Sequence, residues 1–257
     1  MNDRPSQSFP QEPLPPRPQP ASIALPSVTP LVTYVTLGVT VLVFLLQAGS
    51  NFLFQVDIPL QLGAKVNNLI RLGQLWRLIT PVLLHGSILH IGFNMYALLV
   101  IGAGLERRMG HGRYLLLYLL AGFAGNVFSF LFSSGISVGA STSIFGLLAA
   151  EGVFLYHNRA LFGQQARRAL GNIIFIAMIN LFIGLQPGID NWGHVGGLLG
   201  GLIFSWIAGP RWEVEGVYPL LKMVDRREGR DVILGTALVL IAFAALAALG
   251  VGFPITR

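Results

Sequence analysis

The chain has no cysteine, which excludes a disulfide framework, a thiolate metal site and a cysteine nucleophile. Charged residues are scarce as well, at 11% of 257 residues against roughly 25% in a soluble domain. Hydrophobic residues make up 53% of the chain, more than a soluble fold can hide from water. We therefore expect the chain to lie in a bilayer, where apolar side chains face lipid. The basic excess, 17 Lys and Arg against 11 Asp and Glu, then indicates orientation and not a nucleic-acid partner.

Seven apolar segments are long enough to be membrane helices. They cover residues 31–48, 86–104, 114–132, 141–156, 170–186, 193–209 and 232–251. A helix needs about 20 residues to cross the hydrocarbon core, and the fourth and sixth segments are the shortest. Both begin next to polar residues and glycine, as helices do where they border a water-filled cavity. The sequence predicts an all-α polytopic membrane protein with seven transmembrane helices.

The distribution of basic residues predicts the orientation. With a cytoplasmic N-terminus, the inside segments hold thirteen Lys and Arg and the outside segments hold four, which together account for all 17. Because cytoplasmic loops carry the excess of basic residues, we predict a cytoplasmic N-terminus and an outside C-terminus.

The segments between the spans have distinct compositions. Residues 1–30 form a Pro-rich stretch that predicts a disordered cytoplasmic tail, without the pattern of a signal or transit peptide. The long connection 49–84 mixes apolar and polar residues and predicts an amphipathic structure in the interface, with Trp76 and Arg77 at the headgroups. We divide the chain into the tail, a six-helix core (31–209), a charged cytoplasmic loop (210–231) and a last helix with a short tail (232–257).

Four polar residues are predicted to lie at one depth in the membrane. Spans two, four and six all run from outside to inside, and near their starts they carry His90 with Asn94, Ser141 and His194 respectively. His90 and Asn94 are four residues apart and share a helix face. A serine nucleophile, a histidine base and extra donors at one depth are what a buried active site requires.

The sequences around the serine and the second histidine favour the same interpretation. Ser141 begins a helix, where unpaired backbone N–H groups suit an oxyanion pocket. Ser143 points roughly 200° away, and we expect its hydroxyl to bond a carbonyl of the preceding turn. Gly193, Gly197 and Gly201 recur every four residues, which predicts close packing of helix six on a neighbour.

Each feature taken alone also has a purely structural interpretation. Ser141 suits a helix cap, His194 an interfacial residue, and His90 with Asn94 an interhelical hydrogen-bonding pair. Glu151 is the only acid within a predicted span. It lies roughly 15 Å deeper than Ser141 by helical rise, and we interpret it as structural.

These residues resemble the rhomboid family of intramembrane serine proteases. The resemblance covers the chain from about Trp76 to Gly201 and rests on order, spacing and sidedness together. Its parts are WR at Trp76 and Arg77, HxxxN from His90 to Asn94, ERRMG from Glu106 to Gly110, GxSx from Gly139 to Thr142, and His194 followed by Gly197 and Gly201.

The resemblance implies a rhomboid-like bundle of six helices with a seventh added, and a Ser–His dyad. Ser141 would be the nucleophile and His194 the general base, with His90, Asn94 and the Ser141 N–H stabilising the oxyanion. His85 matches a histidine near a water-retaining cavity. The implied partners are membrane lipid and single-span membrane protein substrates, cleaved near the outer face. No cofactor or metal is implied.

Two other functions remain open at this stage. Many members of the family have glycine after the serine, whereas this chain has Thr142, which allows an inactive rhomboid-like protein that binds membrane substrates. A transporter is less favoured, because the chain shows no repeated halves. A zinc protease lacks its HExxH motif, and an aspartyl protease lacks its second acid. We predict a bacterial plasma or inner membrane location, with a eukaryotic secretory membrane as the alternative.

Overall fold

The computed structural model describes residues 25–252, so most of the predicted Pro-rich tail lies outside the described residues. The helices are α1 (Leu31–Phe54), α2 (Ile58–Gly63), α3 (Asn67–Arg71), α4 (Ile88–Ala97), α5 (Ala103–Met109), α6 (His111–Phe132), α7 (Ser141–His157), α8 (Arg159–Ile183), α9 (Asn191–Ala208) and α10 (Gly229–Gly252). Two short 3-10 helices cover Leu75–Leu78 and Thr80–Leu83, and the π-helical turn Leu98–Gly102 joins α4 to α5.

Five of the described helices are long and apolar enough to cross a membrane. They are Leu31–Phe54, Ile88–Met109, His111–Phe132, Arg159–Ile183 and Gly229–Gly252. Helices α7 and α9 are shorter, with 17 and 18 residues. The chain is thus a helical membrane bundle, and the count of seven spans stays a prediction.

Helix α9 lies in the centre, between α6 and α7, and glycines line both of its contact faces. On the α6 side, a Cβ added to Gly196 would lie 2.5 Å from Phe128 Cβ, and one added to Gly200 would lie 2.5 Å from Ala124 Cβ. On the α7 side, an added Cβ would overlap the Thr142 carbonyl oxygen at Gly197 and the Gly146 backbone at Gly201. Larger residues at these positions would force the three helices apart.

The connection 49–84 folds into short helices around one buried arginine. Arg77 donates through Nη1 to Ala64 O at 2.7 Å, through Nη2 to Gln61 O at 2.6 Å and through Nε to Gln74 Oε1 at 2.7 Å. Arg77 is 3% exposed and satisfies loop carbonyls that have no helical partner, and its depth at the headgroups stays a prediction.

The segment 210–231 contains a hairpin, which the sequence interpretation of this segment as a charged loop does not include. Strand β1 (Trp212–Glu215) pairs antiparallel with β2 (Lys222–Asp225). Arg226 contacts Glu213 at 2.8 Å and Glu215 at 2.7 Å. The two glutamates alternate with apolar residues, and this period of two is typical of a strand.

Candidate active site

The structure brings Ser141 and His194 into direct contact. Ser141 is the first residue of α7, and His194 lies in the first turn of α9. The Ser141 Oγ and His194 Nε2 atoms are 3.0 Å apart. The His194 ring stacks on Phe145, with ring centroids 4.2 Å apart and an interplanar angle of 11°. Since Phe145 follows Ser141 by one helical turn, α7 contacts the imidazole at both its edge and its face.

The glycine stripe explains why the two helices come so close. Gly193, Gly197 and Gly201 all face α7, as the four-residue repeat predicts. A Cβ added to Gly193 would lie 3.1 Å from Thr142 Cγ2, and one at Gly197 would overlap the Thr142 backbone. Thr142 itself is 4% exposed and packs against these glycines and Gly125. Thr142 therefore fits after Ser141 because Gly125, Gly193 and Gly197 have no side chains to clash with it.

His90 and Asn94 lie on α4 beside the serine. Gly139 has a φ of +130° and closes the turn before α7. A Cβ added to Gly139 would be 2.7 Å from His90 Nε2 and 3.6 Å from Ser141 Oγ, so the ring and the hydroxyl border the same small space. Only glycine fits there, because of both the positive φ and the lack of room.

A cavity of about 590 Å³ contains the four polar residues together. His90, Asn94, Ser141 and His194 all line it, and the remaining walls are largely apolar. Phe93 of α4 and Ile176 of α8 belong to those walls and are also exposed, by 73% and 42%. The cavity therefore reaches the lateral surface of the bundle between α4 and α8.

His85 lies behind His90 and is not among the residues that line the cavity. Its ring packs edge-on against His90 at 5.0 Å, and its Nε2 accepts a hydrogen bond from the Ala140 N–H at 3.4 Å. Gln47 of α1 holds the His85 backbone, accepting from its N–H at 3.0 Å and donating to its carbonyl at 3.3 Å. This buried histidine thus supports both His90 and the turn before Ser141.

Ser143 points away from the cavity. It is fully buried, and its hydroxyl donates to the Tyr118 carbonyl of α6 at 2.8 Å. The expected acceptor in the preceding turn of α7 is therefore wrong, because close packing brings a carbonyl of α6 nearer. Ser141 and Ser143 nevertheless point in different directions, Ser141 towards His194 and Ser143 towards α6.

Glu151 forms an ion pair at the other end of α7. Its carboxylate contacts Arg108 of α5, with Oε1 at 3.0 Å from Nη1 and Oε2 at 2.5 Å from Nη2. The guanidinium also lies 4.5 Å above the Phe154 ring. These contacts fit the structural interpretation of Glu151.

Asp190 is absent from the set of site residues inferred from sequence. Its Oδ1 accepts from the Gly193 N–H at 3.1 Å and caps α9, while Ser129 of α6 donates to Oδ2. An aspartate directly before an apolar helix is a typical N-cap signal, so its position was detectable. Burial lowers the pKa of the neighbouring Lys65 to about 8, while the charge of Asp190 acts in the opposite direction.

The described part of the chain contains no cluster of candidate metal ligands. Among residues 25–252, no group of three or more His, Asp or Glu side chains is placed to hold a metal ion. The four predicted site residues in the cavity carry instead a hydroxyl, two imidazoles and an amide, which suit proton transfer and hydrogen bonding.

Comparison with known proteins assigns the chain to a family. The model of the Rhomboid domain matches residues 72–211, and the chain belongs to the rhomboid family. It is 43% identical over 174 residues to the rhomboid protease GluP of Bacillus subtilis (strain 168), a match that covers 67% of this chain and 34% of that protein. It is 39% identical over 143 residues to RHOMBOID-like protein 1 of Arabidopsis thaliana, covering 55% of this chain and 36% of the relative. The chain thus spans about a third of the length of these two relatives.

Family membership and the apolar helices together define the cellular setting. The chain is an integral membrane protein, and one of its relatives is named as a rhomboid protease.

Proposed function

We propose that this chain is an intramembrane serine endopeptidase that cleaves single-span membrane proteins near the outer face of the membrane. Ser141 acts as the nucleophile and His194 as the general base. The observation that carries the proposal is the 3.0 Å contact between Ser141 Oγ and His194 Nε2 inside a cavity of a membrane bundle. Similarity to a relative named as a rhomboid protease supports the same class of reaction.

The proposed reaction proceeds through an acyl-enzyme. His194 Nε2 takes the proton from Ser141 as Oγ attacks the carbonyl carbon of the substrate. The protonated imidazole then gives that proton to the leaving amine, and the peptide C–N bond breaks. Water entering the cavity is activated by the same imidazole and hydrolyses the ester, which frees Ser141.

We propose that three groups stabilise the oxyanion. As the first residue of α7, Ser141 has a backbone N–H without a helical acceptor. His90 borders the space beside the serine hydroxyl, and Asn94 lies one turn further along α4 in the same cavity. Donors fixed before the reaction stabilise the developing charge without reorganisation.

We further propose that substrate enters from the lipid between α4 and α8. The apolar walls of the cavity there suit a transmembrane helix, and the same cavity contains Ser141 and His194. An unwound stretch of substrate next to Ser141 would exchange helical hydrogen bonds for bonds to the cavity. Residues that unwind easily are therefore expected at the cleaved bond.

Thr142 does not argue against activity. Its side chain packs between α6 and α9 and does not line the cavity, so it leaves the serine hydroxyl accessible. The alternative of an inactive binding protein therefore depends only on whether the Ser141–His194 pair reacts, which an assay decides.

The decisive experiment is cleavage of a single-span substrate in liposomes that contain the purified protein. We expect wild type to cleave, and Ser141→Ala and His194→Ala to be inactive although folded. Ser143→Ala is the matched control, since it removes a buried hydroxyl two residues away, and we expect near-wild-type cleavage. A fluorophosphonate should label wild type but not Ser141→Ala or His194→Ala. Labelling that depends on Ser143, or cleavage by Ser141→Ala, would contradict the proposal.

The oxyanion groups are tested in the same assay. Loss of one donor typically costs about 10²–10³ in rate. Because three donors share the task, we expect a milder loss for Asn94→Ala and a stronger one for His90→Ala, whose ring lies nearest the serine. Wild-type rates in both variants would remove these residues from the oxyanion site.

We also propose a bacterial plasma membrane with a cytoplasmic N-terminus, on the strength of the thirteen-to-four distribution of basic residues. Reporter enzymes fused at residue 30 and after residue 252 test this orientation. Equal activity of an outside-specific reporter at both ends would contradict it.

A further inference from the structure

The candidate histidine lacks the acid that orients the base in a catalytic triad. His194 Nδ1 is buried and has no hydrogen-bond partner within residues 25–252. Its Nε2 contacts Ser141 and its face contacts Phe145, yet both of these groups belong to α7. The place of the ring relative to α7 therefore depends on how firmly the first turn of α9 is held.

That first turn is intrinsically weak. Gly193, Gly196 and Gly197 surround the histidine, and glycine is among the least favourable residues in a helix. Helix ends fray readily, and His194 is only the fourth residue after the cap. The glycines are required for close packing, so rigidity has to come from elsewhere.

Asp190 supplies two connections at this point. Within α9, its carboxylate accepts from the Gly193 N–H at 3.1 Å and its carbonyl accepts from the His194 N–H at 3.3 Å. Across the bundle, the second carboxylate oxygen accepts a hydrogen bond from the hydroxyl of Ser129, a fully buried residue of α6. The cap is therefore fixed to α6, of whose apolar window 61% is buried.

We propose that Asp190 is a positioning residue that holds His194 against Ser141 by fastening the first turn of α9 to Ser129. The inference rests on the proposed function. Asp190 does not touch the reacting atoms, and it acts in place of the missing third member of a triad by fixing the backbone that carries the base. A misplacement of about 1 Å is enough to cost about 10²-fold in rate.

The test compares substitutions that remove different parts of this arrangement. Asp190→Ala removes both hydrogen bonds of the carboxylate, and we expect kcat to fall by about 10- to 100-fold with little change in KM. Asp190→Asn retains the cap through its amide oxygen and can donate from its amide nitrogen to Ser129 Oγ, and we expect it to stay within about threefold of wild type. Ser129→Ala removes only the link to α6, and we expect a loss between those two.

Ser205→Ala is the matched control for Ser129→Ala. Ser205 is also a buried serine of this bundle, on α9, and its hydroxyl has no partner within residues 25–252. We expect wild-type kcat in this variant. Rates are expressed per folded molecule, measured from the monodisperse fraction after gel filtration, so that misfolding of one variant does not enter the comparison.

The outcomes separate the inference from the proposed function. If wild type and Ser141→Ala behave alike, the proposed function fails. If Ser141→Ala is inactive while Asp190→Ala and Ser129→Ala have wild-type kcat, only the inference fails. An Asp190→Asn variant as slow as Asp190→Ala also overturns it, because the carboxylate charge would then matter more than the position that it holds.

Discussion

Helix α7 is packed in two very different ways on its two sides. Against α9 the backbones approach closely, because Gly193, Gly197 and Gly201 of α9 face α7. Against α8 the contact is looser, and a Cβ added to Gly152 would lie in ordinary contact, 3.7 Å from Leu170 and 3.8 Å from Ile173. Of the apolar window of α8 only 6% is buried, compared with 61% for α6.

The packing of α7 against its neighbours changes along its length. Helix α8 contacts α7 at Gly152, near the end opposite to Ser141. Around Ser141 the cavity separates the two helices, with Ile176 and Ile183 of α8 on its wall. The bundle is thus tightly packed where the proposed reaction needs two side chains about 3 Å apart, and loosely packed at the proposed entrance for the substrate. The following predictions test this difference, from the largest expected effect to the smallest.

The largest effect is expected for a substitution in the tight contact. Gly197→Val places a branched side chain where even a Cβ overlaps the Thr142 carbonyl. Overpacking typically costs about 1–3 kcal/mol, and here it also moves His194 away from Ser141. We expect a lower melting temperature and loss of detectable cleavage.

Gly171→Val is the matched control for this substitution on the loose side. Gly171 lies in α8, and a Cβ there would have no atom within 4 Å. We expect activity and melting temperature close to wild type. If the two variants behaved alike, the difference in packing would not explain activity.

The second effect concerns the entrance. The absence of cysteine allows Phe93→Cys and Ile176→Cys to be introduced as the only thiols of the chain. Joining them with a cleavable bis-maleimide should reduce cleavage of a membrane substrate more than tenfold, because α4 and α8 can no longer separate. Fluorophosphonate labelling of Ser141 should persist, because the probe is small.

The two single-cysteine variants treated with the same reagent are the controls for the cross-link. Cleaving the spacer should restore activity. Full cleavage of the membrane substrate by the cross-linked protein would show that entry does not occur between these helices.

The close contact between α7 and α9 was easier to predict from the sequence than the contacts around it. The four-residue glycine repeat and the matched depth of Ser141 and His194 are properties of the chain itself. By contrast, the link from Asp190 to Ser129 joins residues 61 positions apart and depends on tertiary packing. The same holds for the burial of Arg77 and for the carbonyl that Ser143 finds on α6, which no local pattern reveals.

The hairpin was missed for another reason. Its strands are only four residues each and lie among charged residues, so the composition of the segment dominated the interpretation. The alternation of Glu213 and Glu215 with apolar residues was visible, but four residues are too few to distinguish a strand from a loop.

The third prediction concerns α10, which packs against α9 and α6. Helix α10 contributes Val239, Phe243 and Ala247 to the core, at most 7% exposed. In a bilayer, lipid replaces a lost helix without a hydrophobic penalty, so mainly packing is lost. We expect a chain that ends at Asp231 to insert, to melt at a lower temperature and to keep at least about a tenth of the cleavage rate in liposomes. A folded but completely inactive truncation would mean that α10 helps to form the site.

The smallest effect is expected for Glu151, which lies on α7 far from Ser141. Glu151→Gln breaks the ion pair with Arg108, whose side chains are 17% and 23% exposed. A single pair with access to solvent is typically worth about 0–1 kcal/mol, and Glu151 lies roughly 15 Å from Ser141 by helical rise. We expect cleavage within about twofold of wild type and a melting temperature lower by only a few degrees.

The double variant Arg108→Gln with Glu151→Gln is the control, because it leaves no unpaired charge and should be no less stable than Glu151→Gln alone. A tenfold loss of cleavage at an unchanged melting temperature would instead make Glu151 part of the reaction, and the acid that the candidate dyad lacks would have to be sought at this end of the helix.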